Sequence, residues 1–241
     1  MKIFWNYIYG PFAVVMIFIW TILCSFTAFS VSFVPKRKLH DGVISLWAHV
    51  IIKLLGATVI VQNKELLKDK GCLLLFNHLS LIDIPLIYVA VGGDLRFGAK
   101  IELFRIPLFG HALRRLGFLP VERNNRSGTL KIYEKAKSRC QNGERFILAP
   151  EGTRQDTLTL GSFKSGPFIL AIQAGIPLLP VLIAGPEKIY PKHSLLLRLN
   201  HKVVFKVCIL EEISTEGFSL DDRNKLKDIT WKKMNAALKN L

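Results

Sequence analysis

From Ile3 to Val34 the chain carries no charged residue, and no other feature restricts its possible folds so strongly. About 20 apolar residues in helical form cross a hydrocarbon core, so this segment is long enough to anchor the chain in a bilayer. Trp5, Tyr7, Tyr9 and Trp20 include aromatics placed as an interfacial belt places them. A cleaved secretory signal is the competing reading. Its apolar region is shorter, about 7–15 residues, and a small-residue cleavage site follows it. Here the run ends in Pro35-Lys36-Arg37-Lys38, which favours a retained anchor. Gly10-Pro11 is able to interrupt the segment, so both a spanning helix and a helix pair lying in one leaflet stay open. Only Lys2 precedes the run while three basic residues follow it. The excess of positive charge on the trailing side places everything after Val34 on the cytoplasmic face, the inner-membrane face in a bacterium. The expected division is a membrane-anchoring segment over 1–34 and a folded domain over 35–241.

The folded part is long enough to bury a core. Half of all residues are apolar and 21% are charged, which excludes both a disordered chain and a polytopic membrane protein. The net charge of +15 favours an anionic partner, whether nucleic acid, an anionic lipid surface or a phosphorylated substrate. Cys24, Cys72, Cys140 and Cys208 stand far apart, without zinc-ligand spacing, and read as buried or lipid-facing thiols.

From Ala57 onward short apolar runs alternate with helical patterns. Strands are expected at Thr58–Val61, Cys72–Phe76, Leu95–Gly98, Phe118–Val121, Arg145–Leu148, Leu178–Ile183 and Val203–Ile209. Helices are expected over Ile84–Val91, Leu108–Leu116, Ser127–Gln141 with Ser127 as N-cap, Pro167–Ala174 and Leu220–Leu241. The last carries an apolar stripe of Leu226, Ile229, Met234 and Leu238, and Ser219 with Asp222 forms a capping box ahead of it. An earlier amphipathic helix, Val43 to Leu55, suits either the core or the membrane surface. The alternation predicts an α/β domain whose largely parallel sheet is flanked by helices, behind an N-terminal hydrophobic membrane helix or helix pair.

Two strand ends run straight into polar residues, where open α/β sheets collect their ligands. The first is Asn77-His78-Leu79-Ser80-Leu81-Ile82-Asp83. A His base needs an acceptor on one ring nitrogen before the other can work, and Asp83 supplies one if the chain turns. A capped helix start with a satisfied His would look the same. The second is Ala149-Pro150-Glu151-Gly152-Thr153-Arg154. Gly152 permits unusual backbone angles, and Thr153 and Arg154 are able to donate to phosphate oxygens. A surface turn facing water would also read this way. Between them, Leu95 to Arg126 is basic and reads mostly as a solvated face, but Lys100 and Arg123 close strand-end turns of their own. Phe163-Lys164-Ser165-Gly166-Pro167 opens a helix and reads mainly as a loop-to-helix junction.

The His-x4-Asp block, the block ending in Arg123, the Glu-Gly-Thr-Arg block and the later Ile176-Pro177-Leu178-Leu179-Pro180-Val181 follow in that order. This order resembles the glycerolipid acyltransferase family over roughly Val43 to Val207, most closely its 1-acylglycerol-3-phosphate (lysophosphatidic acid) acyltransferases. Ala149 and Glu122 stand where that family often has Phe and Asp. The resemblance implies that His78 is the general base and that Asp83 orients it. It implies that Arg123, Glu151, Gly152, Thr153 and Arg154 shape the acceptor site, with Lys100 beside them. It implies an acyl-CoA or acyl-carrier-protein co-substrate, a lysophospholipid acceptor in the bilayer, no metal or redox cofactor and no nucleic acid partner. Direct transfer is expected rather than an acyl-Ser80 intermediate, with oxyanion donors among the backbone N–H groups near His78 or Gly152. Another lysolipid acceptor and a non-enzymatic membrane-surface protein are the alternatives. A lipid hydrolase would need a Gly-x-Ser-x-Gly elbow, which the sequence lacks.

Overall fold

The structure is a computed structural model. It describes residues 8–241 except 68–70, 93, 123–125, 195 and 200–201. The elements in chain order are α1 (Gly10–Val31), α2 (Arg37–Leu54), β1 (Ala57–Gln62), β2 (Leu73–Phe76), α3 (Asp83–Val91), β3 (Leu95–Lys100) and α4 (Phe109–Arg115). There follow β4 (Leu119–Val121), α5 (Arg126–Gln141), β5 (Arg145–Leu148), α6 (Gly166–Ala174), β6 (Leu178–Ala184), α7 (Pro186–Ile189), β7 (Val203–Ile209) and α8 (Arg223–Leu238).

The strands form one sheet in the order β1-β7-β6-β2-β5-β3-β4. Among the described residues five neighbour pairings are parallel and one, β6 with β7, is antiparallel. The central strands β2, β5 and β6 are buried along their whole length. A strand covered on both faces reads as an unbroken apolar run, which is why these three were legible. The edge strand β1 alternates instead, with Ala57, Val59 and Val61 packed inward.

Two apolar layers sandwich the sheet. Leu74, Phe76, Phe97, Ile147, Val181 and Phe205 face a core shared with α1, α2, α3 and α4. Leu73, Leu75, Phe146, Leu148 and Leu182 face a second core shared with α5, α6 and α8. The expected elements are present, with shifts of a few residues at their ends. Ser127 is not the N-cap of α5, because that helix already includes Arg126. On α8 the buried stripe is Leu226, Thr230, Met234 and Leu238, while Ile229 is exposed. The residues 220–222 before α8 form a 3-10 turn closed by the Ser219–Asp222 capping box.

Helix α1 lies along α2 instead of standing clear of the domain. Its buried positions are the small residues Gly10, Ala13, Cys24 and Ala28, which let two helix backbones approach. The Tyr9 hydroxyl donates to Leu54 O at 2.9 Å and the Trp20 indole to Trp47 O at 3.3 Å. His40 Nε2 lies 3.0 and 2.9 Å from the carbonyls of Val31 and Val34 and closes the hairpin. Pro11 falls in the first turn of α1, where its missing N–H costs nothing. The opposite side of α1 exposes Phe12, Val15, Phe18, Ile19, Ile22 and Phe26.

Candidate active site

Because β2 pairs with β5 on one side and β6 on the other, all parallel, the carboxyl ends of β2 and β5 lie side by side. The two polar blocks therefore meet at one edge of the sheet. Asn77 extends β2 by one more step: its amide donates to Ile183 O at 2.9 Å and accepts from Ile183 N at 2.8 Å. The side chain of His78 then leaves the strand end.

The chain turns over Leu79–Ile82 and enters α3 at Asp83. Pro85 sits in the first turn of that helix, where it is tolerated. Asp83 is fully buried. Its Oδ2 accepts three hydrogen bonds, from His78 Nδ1 at 2.8 Å, Leu79 N at 2.7 Å and Ser80 N at 2.9 Å. The positive end of α3 is complementary to this carboxylate. The turn is pinned further by Ser80, whose hydroxyl donates to Tyr190 O at 2.8 Å and accepts from Ile82 N. Ser80 is thus a buried brace, aimed away from His78. The His78 ring is 12% exposed, and among the described residues its Nε2 has no hydrogen-bond partner.

The second block reaches His78 from below. Glu151 is 3% exposed. Its Oε2 accepts from His78 N at 2.8 Å and its Oε1 from Gly161 N at 2.7 Å. Burial raises its pKa above the ordinary 4.5, against the lowering pull of those two N–H groups. Glu151 therefore grips the backbone under the His and turns neither oxygen to a ligand. Gln155 N donates to His78 O at 2.7 Å, so both backbone groups of His78 are tied to this loop. Gly152 has φ +70°, a left-handed turn that favours glycine. Past it, Thr153 is exposed and Arg154 half-buried. Among the described residues Arg154 makes no hydrogen bond or ion pair, which leaves its guanidinium available to an anion.

The remaining predicted positions are less convergent. Lys100 ends β3, at the same edge of the sheet, but is half exposed and pairs with Glu102 at 3.3 Å. Arg123 lies outside the described residues. Arg96, expected on a solvated face, is buried instead: it donates to Asp41 of α2 at 2.8 Å and to its own neighbour Leu95 O. The oxyanion expectation narrows to the residues just after Gly152. The N–H groups of His78, Leu79, Ser80 and Gly152 are all committed, to Glu151, to Asp83 twice and to Ala149. The amides of Thr153 and Arg154 have no acceptor among the described residues. Among those residues, too, no three His, Cys, Asp or Glu side chains converge as a metal site requires.

An apolar cavity of about 210 Å³ lies next to the His78–Asp83 turn, with Leu81, Ile84, Tyr88 and Phe97 on the site side. Its far wall is built by the hairpin, from Thr21, Ala28 and Trp47 among others, and α4 adds Ala112 and Leu116. Residues 58–184, which hold every group just described from β1 to β6, match the model of the acyltransferase family. The chain belongs to the acyltransferase family. It is 32% identical over 161 residues to a chloroplastic 1-acyl-sn-glycerol-3-phosphate acyltransferase of Brassica napus, covering 66% of this chain and 46% of that protein. It is 30% identical to the 1-acyl-sn-glycerol-3-phosphate acyltransferase of Pseudomonas aeruginosa, covering 68% and 64%. The chain thus spans about half the length of the plant relative and under two thirds of the bacterial one. Among solved structures, the 1-acyl-sn-glycerophosphate acyltransferase of Thermotoga maritima superposes with a TM-score of 0.82 at 25% identity, covering 100% of this chain and 97% of that one.

Sequence reasoning passed over Asn77, Gln155, Gly161 and Tyr190 as parts of the site. Asn77 carried a signal, since it directly precedes the His. Gly161 and Tyr190 carried none, because what they supply is a backbone N–H and a backbone carbonyl.

Proposed function

We propose that this acyltransferase moves an acyl chain from acyl-CoA or acyl-carrier protein to the free sn-2 hydroxyl of lysophosphatidic acid, giving phosphatidic acid. The observation that carries the reading is His78: Nδ1 is locked on a buried carboxylate while Nε2 has no partner among the described residues. Nε2 takes the proton of the acceptor hydroxyl as its oxygen bonds to the thioester carbonyl carbon. Asp83 balances the imidazolium that forms. The tetrahedral intermediate collapses, the C–S bond breaks, and the leaving thiolate takes the proton back from His78. Base catalysis of this kind contributes about 10²–10⁴-fold.

The other features fit the two substrates. Arg154 supplies an unpaired cation for the acceptor phosphate, and the amides of Thr153 and Arg154 are free donors beside it. Lys100 adds positive charge at the same sheet edge, Arg123 is assigned to the acceptor by the family resemblance alone, and no metal or redox cofactor enters the scheme. The apolar cavity takes the acyl chain. The apolar side of α1 seats the molecule in the membrane with the catalytic domain on the cytoplasmic face. A helix packed along the domain surface suits burial in one leaflet better than a free span.

The test is acyl transfer by purified protein with acyl-CoA and acyl-carrier-protein donors across a panel of lysolipids. Phosphatidic acid should form from lysophosphatidic acid, and His78→Ala should lower the rate at least a hundredfold while membrane binding is kept. Transfer to other lysolipids alone overturns the acceptor assignment, and transfer to none overturns the reaction.

A further inference from the structure

Between β5 and α6 the chain runs over residues 149–165 without a regular element, and this segment carries Glu151 and Arg154. Its internal backbone bonds are few: Gly152 N to Ala149 O, Thr159 N to Thr157 O and Lys164 N to Pro150 O. A loop so sparsely bonded takes its position from its anchors. One anchor is the pair of bonds to the backbone of His78. Phe163, buried in the second core, and Asp156, within ion-pair reach of Lys192 and His193, are further anchors; nearest to Gly161 is one from α8, where the Trp231 indole donates to Gly161 O at 3.1 Å. Gly161 is the residue whose N–H holds Glu151 Oε1 at 2.7 Å. Four groups therefore stand in line: the indole, the Gly161 backbone, the Glu151 carboxylate and the N–H of His78.

Leu160 and Phe163, on either side of the Gly161 joint, pack against the second core, but one side of the joint is open. A cavity of about 370 Å³ opens beside it, between residues 160–163 of the loop and Lys227, Asp228 and Trp231 of α8. The side-chain amide of Gln155 lies over Gly161, where a Cβ would come within 2.6 Å of its nitrogen. The bond from Trp231 holds the Gly161 carbonyl, and through the backbone of that one residue it restrains the neighbouring N–H that Glu151 accepts.

We infer that Trp231 is a positioning residue for acyl transfer: its indole N–H fixes Gly161, which keeps Glu151 seated under His78. Trp231 lies beyond the matched family region, which ends at residue 184. The inference rests on the acyl-transfer reading above. A hydrogen bond of this kind contributes about 0.5–1.5 kcal/mol, so its loss should reach the rate as roughly a three- to tenfold effect.

The experiment measures kcat and KM of the full chain carrying Trp231→Phe. A second variant replaces Trp231 by 3-benzothienylalanine, which keeps the ring shape and drops the donor. Both should lower kcat about three- to tenfold with KM for donor and acceptor within about twofold. Introduced into Glu151→Gln, where the link is already broken, Trp231→Phe should lower the residual rate no further. The inference is overturned if kcat is unchanged in the benzothienyl variant, if the loss appears in KM, or if it multiplies fully with Glu151→Gln. No turnover by the unsubstituted protein would overturn the acyl-transfer reading and this inference with it, whereas turnover indifferent to Trp231 overturns this inference alone.

Discussion

Asp83 places three donors on one oxygen, so replacing its charge while keeping its shape is informative. In Asp83→Asn the amide oxygen can still receive His78, Leu79 and Ser80, and the NH2 then occupies the Oδ1 position. Oδ1 is buried and makes no hydrogen bond among the described residues, so an NH2 there costs about 1–3 kcal/mol of stability. We expect a folded protein with a lower unfolding midpoint, and kcat reduced about 10²–10⁴-fold because the imidazolium loses its counter-charge. Glu151 makes a different prediction. Its folded pKa is raised by burial, so its contribution to stability is greatest below the usual carboxylate value and is lost as pH rises through the raised one. Urea unfolding of wild type and Glu151→Gln over a pH series should therefore show wild type losing ground to the variant as pH climbs from about 4. A constant gap would mean that the carboxylate is not held in a desolvated setting. At this scale the sequence named His78, Asp83 and Arg154 because their side-chain chemistry is visible in the residue type. It did not reveal that the Glu151 carboxylate holds backbone N–H groups, and it misread Arg96 as a surface cation, because burial is a property of the partner elements and is not written locally.

Among the elements, the central strands were legible as apolar runs and the helices as periodic stripes. The order β1-β7-β6-β2-β5-β3-β4 was not, since pairing joins strands far apart in the chain and leaves no local mark. That order is what brings the ends of β2 and β5 together, so the site could be listed from sequence but not assembled. The hairpin of α1 and α2 offers the sharpest test of packing at this scale. Ala13 is completely buried, in the half of α1 that Tyr9 ties to the end of α2. Ala13→Leu should force the two backbones apart and cost about 1–3 kcal/mol, read as a lower unfolding midpoint in detergent. An unchanged midpoint would mean that the seam is loose.

At the scale of the molecule, the α1–α2 hairpin and the turn that carries His78 and Asp83 share one cavity. Ala112 lines it from α4 and is 2% exposed. Ala112→Phe should shorten the space available to an acyl chain. Each CH2 denied burial costs about 0.8 kcal/mol, so excluding two should shift the preference for short over long donors about tenfold. Competition between donors of different length measures the shift, and an unaltered preference would remove the cavity from the path of the chain.

The wall that α1 contributes to that cavity bears on how the protein can be handled. Trimming the N-terminal helix is the obvious route to a form that needs no detergent. Here such trimming would uncover Trp47, which bonds to Trp20 and Thr21, and open one side of the cavity, where Ile44 lies, to water. A detergent-free version has to keep α1 and recolour only its outward residues, such as Phe18, Ile22 and Phe26, with polar ones.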